Sequence, residues 1–541
     1  MPTKNRPITL IVRDGWGANP HPEWNHANAI HLADTPADER LMAIYPHAQI
    51  RTSGEDVGLP KGITGNSEVG HQNIGAGRIV DQELMRLTRT IRDGSFFENE
   101  VLCGAFQRAK QTGGRVHFMG LCSSAGVHST LEHCYALLES ARRLEFPGER
   151  VFLHCFSDGR DSAPTSGVQF VAQIEAKMRD FGVGRVASIV GRFYAMDRDH
   201  RWERVRVAYD LLTQGTGCRV SSAAEAFTRY YDNPTDAERR GDEFVEAAAV
   251  VDDNGAPLAT IQDGDSVIFF NFRGDRPREL TKAFVFDEFP FVGKDKTGAK
   301  RELGFDRPAK LDLYYCTLTE YEAGLPVQVA FPKPPALANI LGAYVSDAGL
   351  TQFRTAETEK FPHVTFFFND YRDEPYEGEE RSMAPSPRDV HTYDQNPERS
   401  ARAITAELLK RIESGKYDFI VANYANPDMV GHTGNLPAAI KAVETVDECV
   451  GQVIDAVLRA GGGLIVTADH GNCEQMIDPE TGGPHTSHTL YDVECIIVDD
   501  RFKNARLRAG GRLADIAPTL LHLMGLDPPP EMTGRSLLLE S

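Results

Sequence analysis

Short runs of β-branched and aromatic residues recur along the chain, separated by longer stretches of helical character. They are Ile8–Val12, Val116–Leu121, Val151–Phe156, Val186–Val190, Val267–Phe270, Leu311–Cys316, Val364–Phe368, Phe419–Ala422, Leu464–Thr467 and Cys495–Val498. Such alternation predicts an α/β fold built on largely buried strands. One helix is especially clear, with Ile440, Val443, Val446, Val450, Val453, Ile454 and Val457 at helical spacing and a stop at Gly461. The polar stretches Phe291–Arg307 and Tyr371–Pro387 mix charges with Gly and Pro, which predicts surface insertions or long loops.

Chemistry-bearing residues gather where these strands end. Asp14 follows Ile8–Val12, Ser157–Asp161 follows Val151–Phe156, and Arg192 follows Val186–Val190; Arg273 follows Val267–Phe270, and Asp469–His470 follow Leu464–Thr467. Open α/β sheets bind ligands beyond the carboxyl ends of their strands, so this placement predicts sites assembled from several loops.

Composition narrows the classes. The chain has 541 residues, enough for several domains or two large ones, with 41% hydrophobic and 25% charged residues as in ordinary globular proteins. A net charge of −20 disfavours general nucleic-acid binding. No apolar run approaches the roughly 20 residues of a membrane span, and Met1–Pro7 lacks a signal core, so a cytoplasmic location is expected. Nine cysteines without a C-x-x-C pair read as reduced thiols.

Three constellations carry chemistry. The first is Asp14, Asp428, His432, Asp469, His470 and the pair His485/His488. Carboxylates and imidazoles in this mix suit Mn²⁺ or Zn²⁺, and two ions need about six or seven such ligands. Asp428 and His432 lie four apart, which one helical turn brings onto one face, although Gly431 points to an irregular turn. The second is Gly65-Asn66-Ser67-Glu68-Val69-Gly70-His71 with Asn73 to Arg78. Its simplest reading is a flexible turn; beside two metals, Ser67 becomes a candidate nucleophile, because coordination converts a hydroxyl to an alkoxide near neutral pH. The third is arginine-rich: Asp158 to Asp161, Gly191-Arg192, Asp197 to Asp199 and Asn271 to Arg276. Singly these are surface ion pairs; recurring at successive strand ends, they suggest a small, multiply anionic substrate.

With these residues in view, the chain resembles the cofactor-independent phosphoglycerate mutases of the alkaline phosphatase superfamily over nearly its whole length. The motifs are Asp14 to Gly17, Gly65 to Gly77, Gly126 to Ser129, Asp158 to Asp161, Gly191 to Arg204, Asn271 to Arg276, Glu357 to Lys360, Asn426 to Gly434, Thr467 to Asn472 and His485 to Thr489. The resemblance implies an alkaline-phosphatase-like α/β sandwich formed by residues 1–82 and 324–541, with an α/β phosphotransferase domain, 83–323, inserted between them. It implies two divalent ions, usually Mn²⁺, one held by Asp428, His432 and His488 and the other by Asp14, Ser67, Asp469 and His470. His488 is preferred to His485 as the second histidine of the family's H-T-x-H pattern. The implied reaction interconverts 3-phosphoglycerate and 2-phosphoglycerate through phosphoserine at Ser67, without 2,3-bisphosphoglycerate. Asp161 is the implied general acid/base; Arg273, Arg276 and Lys360 would contact the phosphoryl group, with Lys360 counted among the catalytic residues. His128, Arg160, Arg192 and Arg198 would complete the substrate site. Closure about linkers near Gln82 and Ala323 would exclude water. A monomer with no nucleic-acid or membrane partner is the family expectation.

The chain departs from the family at Ser123-Ser124-Ala125-Gly126-Val127-His128-Ser129, where S-D-G-G-V-H-S is usual, and in extra residues around Phe291–Arg307, expected to form a solvated loop. A phosphomonoesterase, or a mutase for another small phosphorylated metabolite, is the alternative on the same metal core. The arginines argue against a broad phosphatase, which needs no carboxylate clamp.

Overall fold

The computed structural model describes residues 6–295 and 297–539. The start of Met1–Pro7, and Lys296 within the 291–307 stretch, lie outside the described residues. The chain divides into two compact units, Met1–Met85 with Pro335–Ser541 and Arg86–Pro334. No helix among the described residues is long and apolar enough to cross a membrane.

The unit formed by both chain ends is built on an eight-stranded sheet. Its order is Glu379–Ala384, Gln352–Glu357, Phe419–Tyr424, Ile8–Arg13, Gly463–Thr467, Val493–Val498, His47–Arg51 and Gly511–Arg512. The first five strands are mutually parallel. Ile8–Arg13 is buried at every position and lies between Phe419–Tyr424 and Gly463–Thr467, which explains its unbroken apolar character. The long helix Leu436–Arg459 starts at Asn435, whose side chain accepts from Ala438 N, and buries Val443, Val446, Val450, Val453 and Val457.

The Arg86–Pro334 unit has its own eight-stranded sheet, ordered Gln328–Val329, Tyr314–Thr317, Ser266–Phe269, Val116–Leu121, Val151–Ser157, Arg185–Gly191, Ala248–Val250 and Cys218–Val220. Only the pairing of Arg185–Gly191 with Ala248–Val250 is antiparallel. A buried polar chain crosses this sheet. Asp265 Oδ2 is 3.1 Å from His117 Nε2, His117 Nδ1 is 3.0 Å from His154 Nε2, and His154 Nδ1 is 2.8 Å from Ser188 Oγ. Burial pushes both imidazoles below the ordinary histidine range, so both are neutral near pH 7. Asp265 only accepts. His117 therefore carries its proton on Nε2, His154 donates from Nε2, and Ser188 donates to His154, which gives the chain one direction.

Four sequence expectations need correction. Val364–Phe368 is not a strand: Pro362 is in the helical region and His363–Phe367 forms a π turn. A short apolar run has no period that separates a strand from a buried helical turn. Phe291–Arg307 is not a simple loop, because Phe291–Lys294 and Lys300–Leu303 pair as an antiparallel hairpin. Its inner side is apolar, with Phe291 packed on Phe286 and Trp202 and with Leu303 and Phe305 buried. Tyr371–Pro387 contains the edge strand Glu379–Ala384, whose charged composition hid it. Residues 324–334, expected with the C-terminal stretch, fall in the Arg86–Pro334 unit, where Gln328–Val329 adds an edge strand to Tyr314–Thr317.

Candidate active site

In the unit made from both chain ends, four adjacent parallel strands deliver Lys360 and five of the expected metal ligands. Lys360 follows Gln352–Glu357, Asp428 and His432 follow Phe419–Tyr424, Asp14 follows Ile8–Arg13, and Asp469 and His470 follow Gly463–Thr467. Ser67 opens the helix Ser67–Ala76, capped by Asn66 accepting from Val69 N at 3.0 Å. A helix N-terminus favours negative charge beside it. Close backbone approach demands glycine at two points. Gly15 has φ +76° and a side chain there would meet Asp428 Cα at 2.8 Å; at Gly70 it would meet Asp469 Cβ at 2.9 Å.

Asp428, His432 and His488 converge. Asp428 Oδ1 is 3.1 Å from the Nε2 of each histidine, and the two Nε2 atoms are 3.1 Å apart. His432 Nδ1 is 2.7 Å from Thr486 O and His488 Nδ1 is 2.8 Å from Gly65 O. Carbonyl oxygens only accept, so each Nδ1 carries a proton, and in the neutral imidazoles both Nε2 lone pairs point at each other and at a carboxylate oxygen. A cation is what that arrangement suits; the carbonyls are the outer partners that fix ligand tautomers in metal sites. The hydrogen bond to Asp428 raises the affinity of His432 for a proton, and Asp428 outweighs burial to do the same for His488. His485 belongs to none of the candidate ligand clusters among the described residues.

The second cluster surrounds Ser67. Ser67 Oγ is 3.0 Å from His470 Nε2 and 3.3 Å from Asp14 Oδ1. His470 Nε2 lies 3.4 Å from Asp14 Oδ1 and 3.7 Å from Asp469 Oδ2, and that last oxygen is buried without a hydrogen-bond partner among the described residues. Lys360 Nζ donates to Asp14 Oδ1 at 2.8 Å, Ser67 Oγ at 2.6 Å and Asp428 Oδ2 at 2.6 Å. Burial alone would lower the affinity of Lys360 for its proton, but Asp14, Asp428 and Asp469 hold it above the ordinary lysine range. Ser67 Oγ thus accepts from Lys360 while its own proton faces His470 and Asp14. Burial, then the charge of Asp469, pushes Asp14 up, whereas burial pushes His470 down.

Several supporting residues were not singled out from the sequence. His71 lies 3.2 Å from Asp469, but its Nδ1 donates to Ser67 O at 2.8 Å and its Nε2 faces Asn423 Nδ2 at 3.1 Å, so it orients rather than ligates. Asn423 also donates to Asp14 Oδ2 at 2.7 Å. Buried Glu474 accepts from Gly17 N at 3.2 Å, Asn472 N at 2.7 Å and the Thr489 hydroxyl, tying three ligand-bearing loops together. His71, Asn472, Glu474 and Thr489 all lie within five residues of an expected ligand in the sequence, which is the signal that could have found them. A cavity lined by Ser67, Glu359, Lys360, His363, Met429 and His488 opens onto the cluster.

In the Arg86–Pro334 unit the third constellation also gathers at neighbouring strand ends. Arg192 Nη1 lies between Asp158 Oδ1 at 2.6 Å and Asp161 Oδ2 at 2.5 Å. His128 Nε2 is 3.8 Å from Asp161 and its Nδ1 is 3.6 Å from Asp275, which also pairs with Arg198 at 2.7 Å and Arg273 at 3.0 Å. Arg276 donates to Met196 O at 3.1 Å, and Arg160, half exposed, is 3.5 Å from Glu243. Burial, helped by Arg192, pushes His128 down to about 4, so it is neutral near pH 7. The departure at Ser124–Ala125 falls on exposed positions and leaves His128 buried.

Comparison with known proteins shows the family to which the chain belongs. The Metalloenzyme superfamily model matches residues 6–528. The 2,3-bisphosphoglycerate-independent phosphoglycerate mutase of Rhodopirellula baltica is 61% identical, covering 99% of this chain and 98% of that protein. The enzyme of the same name from Moorella thermoacetica is 51% identical, with 99% of each chain covered. The crystal structure of Leishmania mexicana phosphoglycerate mutase, determined at low cobalt concentration, is 32% identical with a TM-score of 0.57 over 100% of this chain and 99% of that one. The chain therefore belongs to the 2,3-bisphosphoglycerate-independent phosphoglycerate mutase family, within the Metalloenzyme superfamily.

Proposed function

We propose that this protein interconverts 3-phosphoglycerate and 2-phosphoglycerate through phosphoserine at Ser67. The observation that carries the reading is the arrangement of the Ser67 hydroxyl, which receives a hydrogen bond from Lys360 while its own proton faces His470 and Asp14. Asp428, His432 and His488 would hold one divalent cation, and Asp14, Ser67, Asp469 and His470 the other, with Mn²⁺ the proposed metal. When bound, such cations lower the pKa of a hydroxyl and offset charge on a transferring phosphoryl group.

Ser67 Oγ attacks phosphorus. The Ser67 proton leaves to solvent and the Oγ–P bond forms as the bond from phosphorus to the C3 oxygen of glycerate breaks, that oxygen taking a proton from Asp161. Lys360 adds positive charge beside the phosphoryl oxygens, and the helix N-terminus at Ser67 favours the same charge. The Arg86–Pro334 unit is assigned the glycerate. Arg192 and Arg198 suit its carboxylate as planar bidentate donors, while Asp161 carries the proton to and from its hydroxyls. Arg192, bonded to both Asp158 and Asp161, fixes where that carboxyl points. Neutral His128 lies against Asp161 and Asp275 and keeps the pocket from gathering excess positive charge. Arg160, Arg273 and Arg276 complete the anion-binding set. Return of the phosphoryl group from Ser67 to the C2 hydroxyl gives the isomer. Retention of glycerate separates this outcome from phosphate release.

The test is a coupled assay of 3-phosphoglycerate conversion with Mn²⁺ and without 2,3-bisphosphoglycerate, with free phosphate followed in parallel. Isomerisation that EDTA abolishes, with little phosphate released, is expected. Phosphate release without isomerisation would make the protein a phosphomonoesterase instead.

A further inference from the structure

Two buried carboxyl groups in the Arg86–Pro334 unit take no part in the chemistry above. Glu279 lies in the first turn of the helix Arg278–Val285, and Asp197 follows the short helix Arg192–Ala195; they are 3% and 5% exposed. Both accept from the backbone of one turn. Glu279 Oε1 accepts from His200 N at 3.1 Å, and Asp197 Oδ2 accepts from Asp199 N at 2.8 Å and Arg201 N at 2.9 Å. His200 sits at φ +58°, a left-handed conformation that few histidines adopt, so the Glu279 bond helps to hold a strained residue. The same turn carries Arg198, whose guanidinium is 2.7 Å from Asp275.

Glu279 Oε2 is buried and meets no hydrogen-bond donor among the described residues, and the carboxyl of Asp197 is its neighbour on the same turn, bonded to the N–H groups on either side of the one that Glu279 holds. Two buried carboxylates on one turn repel and neither can donate to the other, so the pair is eased only when one carries a proton. Asp197 receives two backbone N–H groups and has Arg204 at 3.5 Å. Glu279 receives one; His200 Nε2 is 3.9 Å away, and Lys282 pairs with Glu322 at 2.8 Å. The proton therefore belongs on Glu279. Consistently, burial, with the charge of Asp197, pushes Glu279 up to about 8.

We propose that Glu279 is a positioning residue that works as a neutral acid: the proton it shares with Asp197 pins the Asp197–Arg201 turn and, through it, Arg198. Its kinetic consequence rests on the proposed function, which assigns Arg198 to the substrate carboxylate; its protonation does not. Loss of the proton in mild alkali places two carboxylates side by side and loosens the turn.

The test compares the Mn²⁺-loaded wild type with Glu279→Gln and Glu279→Ala. In the wild type, KM for 3-phosphoglycerate is expected to rise about fourfold between pH 6.5 and 8.5, from a group titrating at about 8, with kcat little changed. Glu279→Gln, which keeps a donor to Asp197, should remove that rise, and Glu279→Ala should raise KM at both pH values. The same pH dependence in wild type and Glu279→Gln, or a Glu279→Gln as impaired at pH 6.5 as Glu279→Ala, would overturn the proposal. Infrared difference spectra at pH 7 give a readout independent of turnover. A protonated-carboxyl carbonyl band present in the wild type and missing from Glu279→Gln supports the shared proton, and its absence from the wild type overturns it. A wild type that carries this band but cannot isomerise phosphoglycerate would refute the functional assignment while supporting the proton.

Discussion

The chain Asp265–His117–His154–Ser188 allows a prediction about direction as well as magnitude. In Asp265→Asn, one acceptor oxygen is replaced by an NH2 group. Asp265 Oδ1 accepts from Arg115 N at 2.7 Å, whereas Oδ2 accepts from Gln262 N at 2.9 Å and His117 Nε2 at 3.1 Å. With the asparagine oxygen kept toward Arg115 N, its NH2 faces His117 and forces Nε2 to accept. His117 must then donate from Nδ1 to His154 Nε2, and His154 from Nδ1 to Ser188 Oγ. The relay survives with both tautomers reversed, and Gln262 N–H loses its acceptor. One charge-assisted hydrogen bond lost and the other two made neutral, that to His117 with its direction reversed, should cost about 2 kcal/mol. The assay is NMR of protein labelled with ¹⁵N at histidine, which distinguishes the tautomers, with the same resonances followed in urea to report the stability of this unit. Unchanged tautomers for His117 and His154, or a stability loss below about 0.5 kcal/mol, would refute the reasoning.

Further outcomes follow from other parts of the molecule. His488→Ala should weaken Mn²⁺ binding at one site by at least roughly 100-fold in calorimetric titration, whereas His485→Ala should leave both affinities unchanged. Glu474→Gln, which disturbs the brace between three ligand loops, should weaken Mn²⁺ by about 10–100-fold while the far-ultraviolet circular dichroism stays the same. Burial holds His133 down at about 3, against 6.5 for a free histidine, so its contribution to stability is complete above pH 6.5 and fades as pH falls toward 3. Between pH 6.5 and 4.5 that loss should come to about 2 kcal/mol, and His133→Gln should flatten the urea-unfolding dependence on pH by that amount.

Much of the fold was legible because central parallel strands are covered on both faces and must be continuously apolar. Ile8–Arg13 and Val116–Leu121, buried at every position, satisfy that rule. Strands at or next to a sheet edge need no such signal: Glu379–Ala384 carries two glutamates and an arginine, and His47–Arg51, flanked by the two-residue edge strand Gly511–Arg512, is mostly open to solvent. Val364–Phe368 misled for the opposite reason, since its apolar run packs a π turn between Lys360 and the helix Ser67–Ala76 rather than a sheet. At the site, the ligand types were visible because Asp-His and His-x-x-His pairs stand close in sequence. The geometry that gives them meaning was not. That the Nδ1 atoms of His432 and His488 are committed to Thr486 O and Gly65 O depends on chain segments far apart in sequence. Asn423 was hidden in the same way, inside a strand that is buried at every position.

The most direct test of the central claim is to mix the Mn²⁺-loaded protein with 3-phosphoglycerate, quench in acid during turnover, and map phosphorylation by peptide mass spectrometry. Phosphoserine at Ser67 is predicted, together with its absence and the loss of isomerisation in Ser67→Ala. Sustained isomerisation by Ser67→Ala, or a phosphoryl group trapped on another residue, would contradict it.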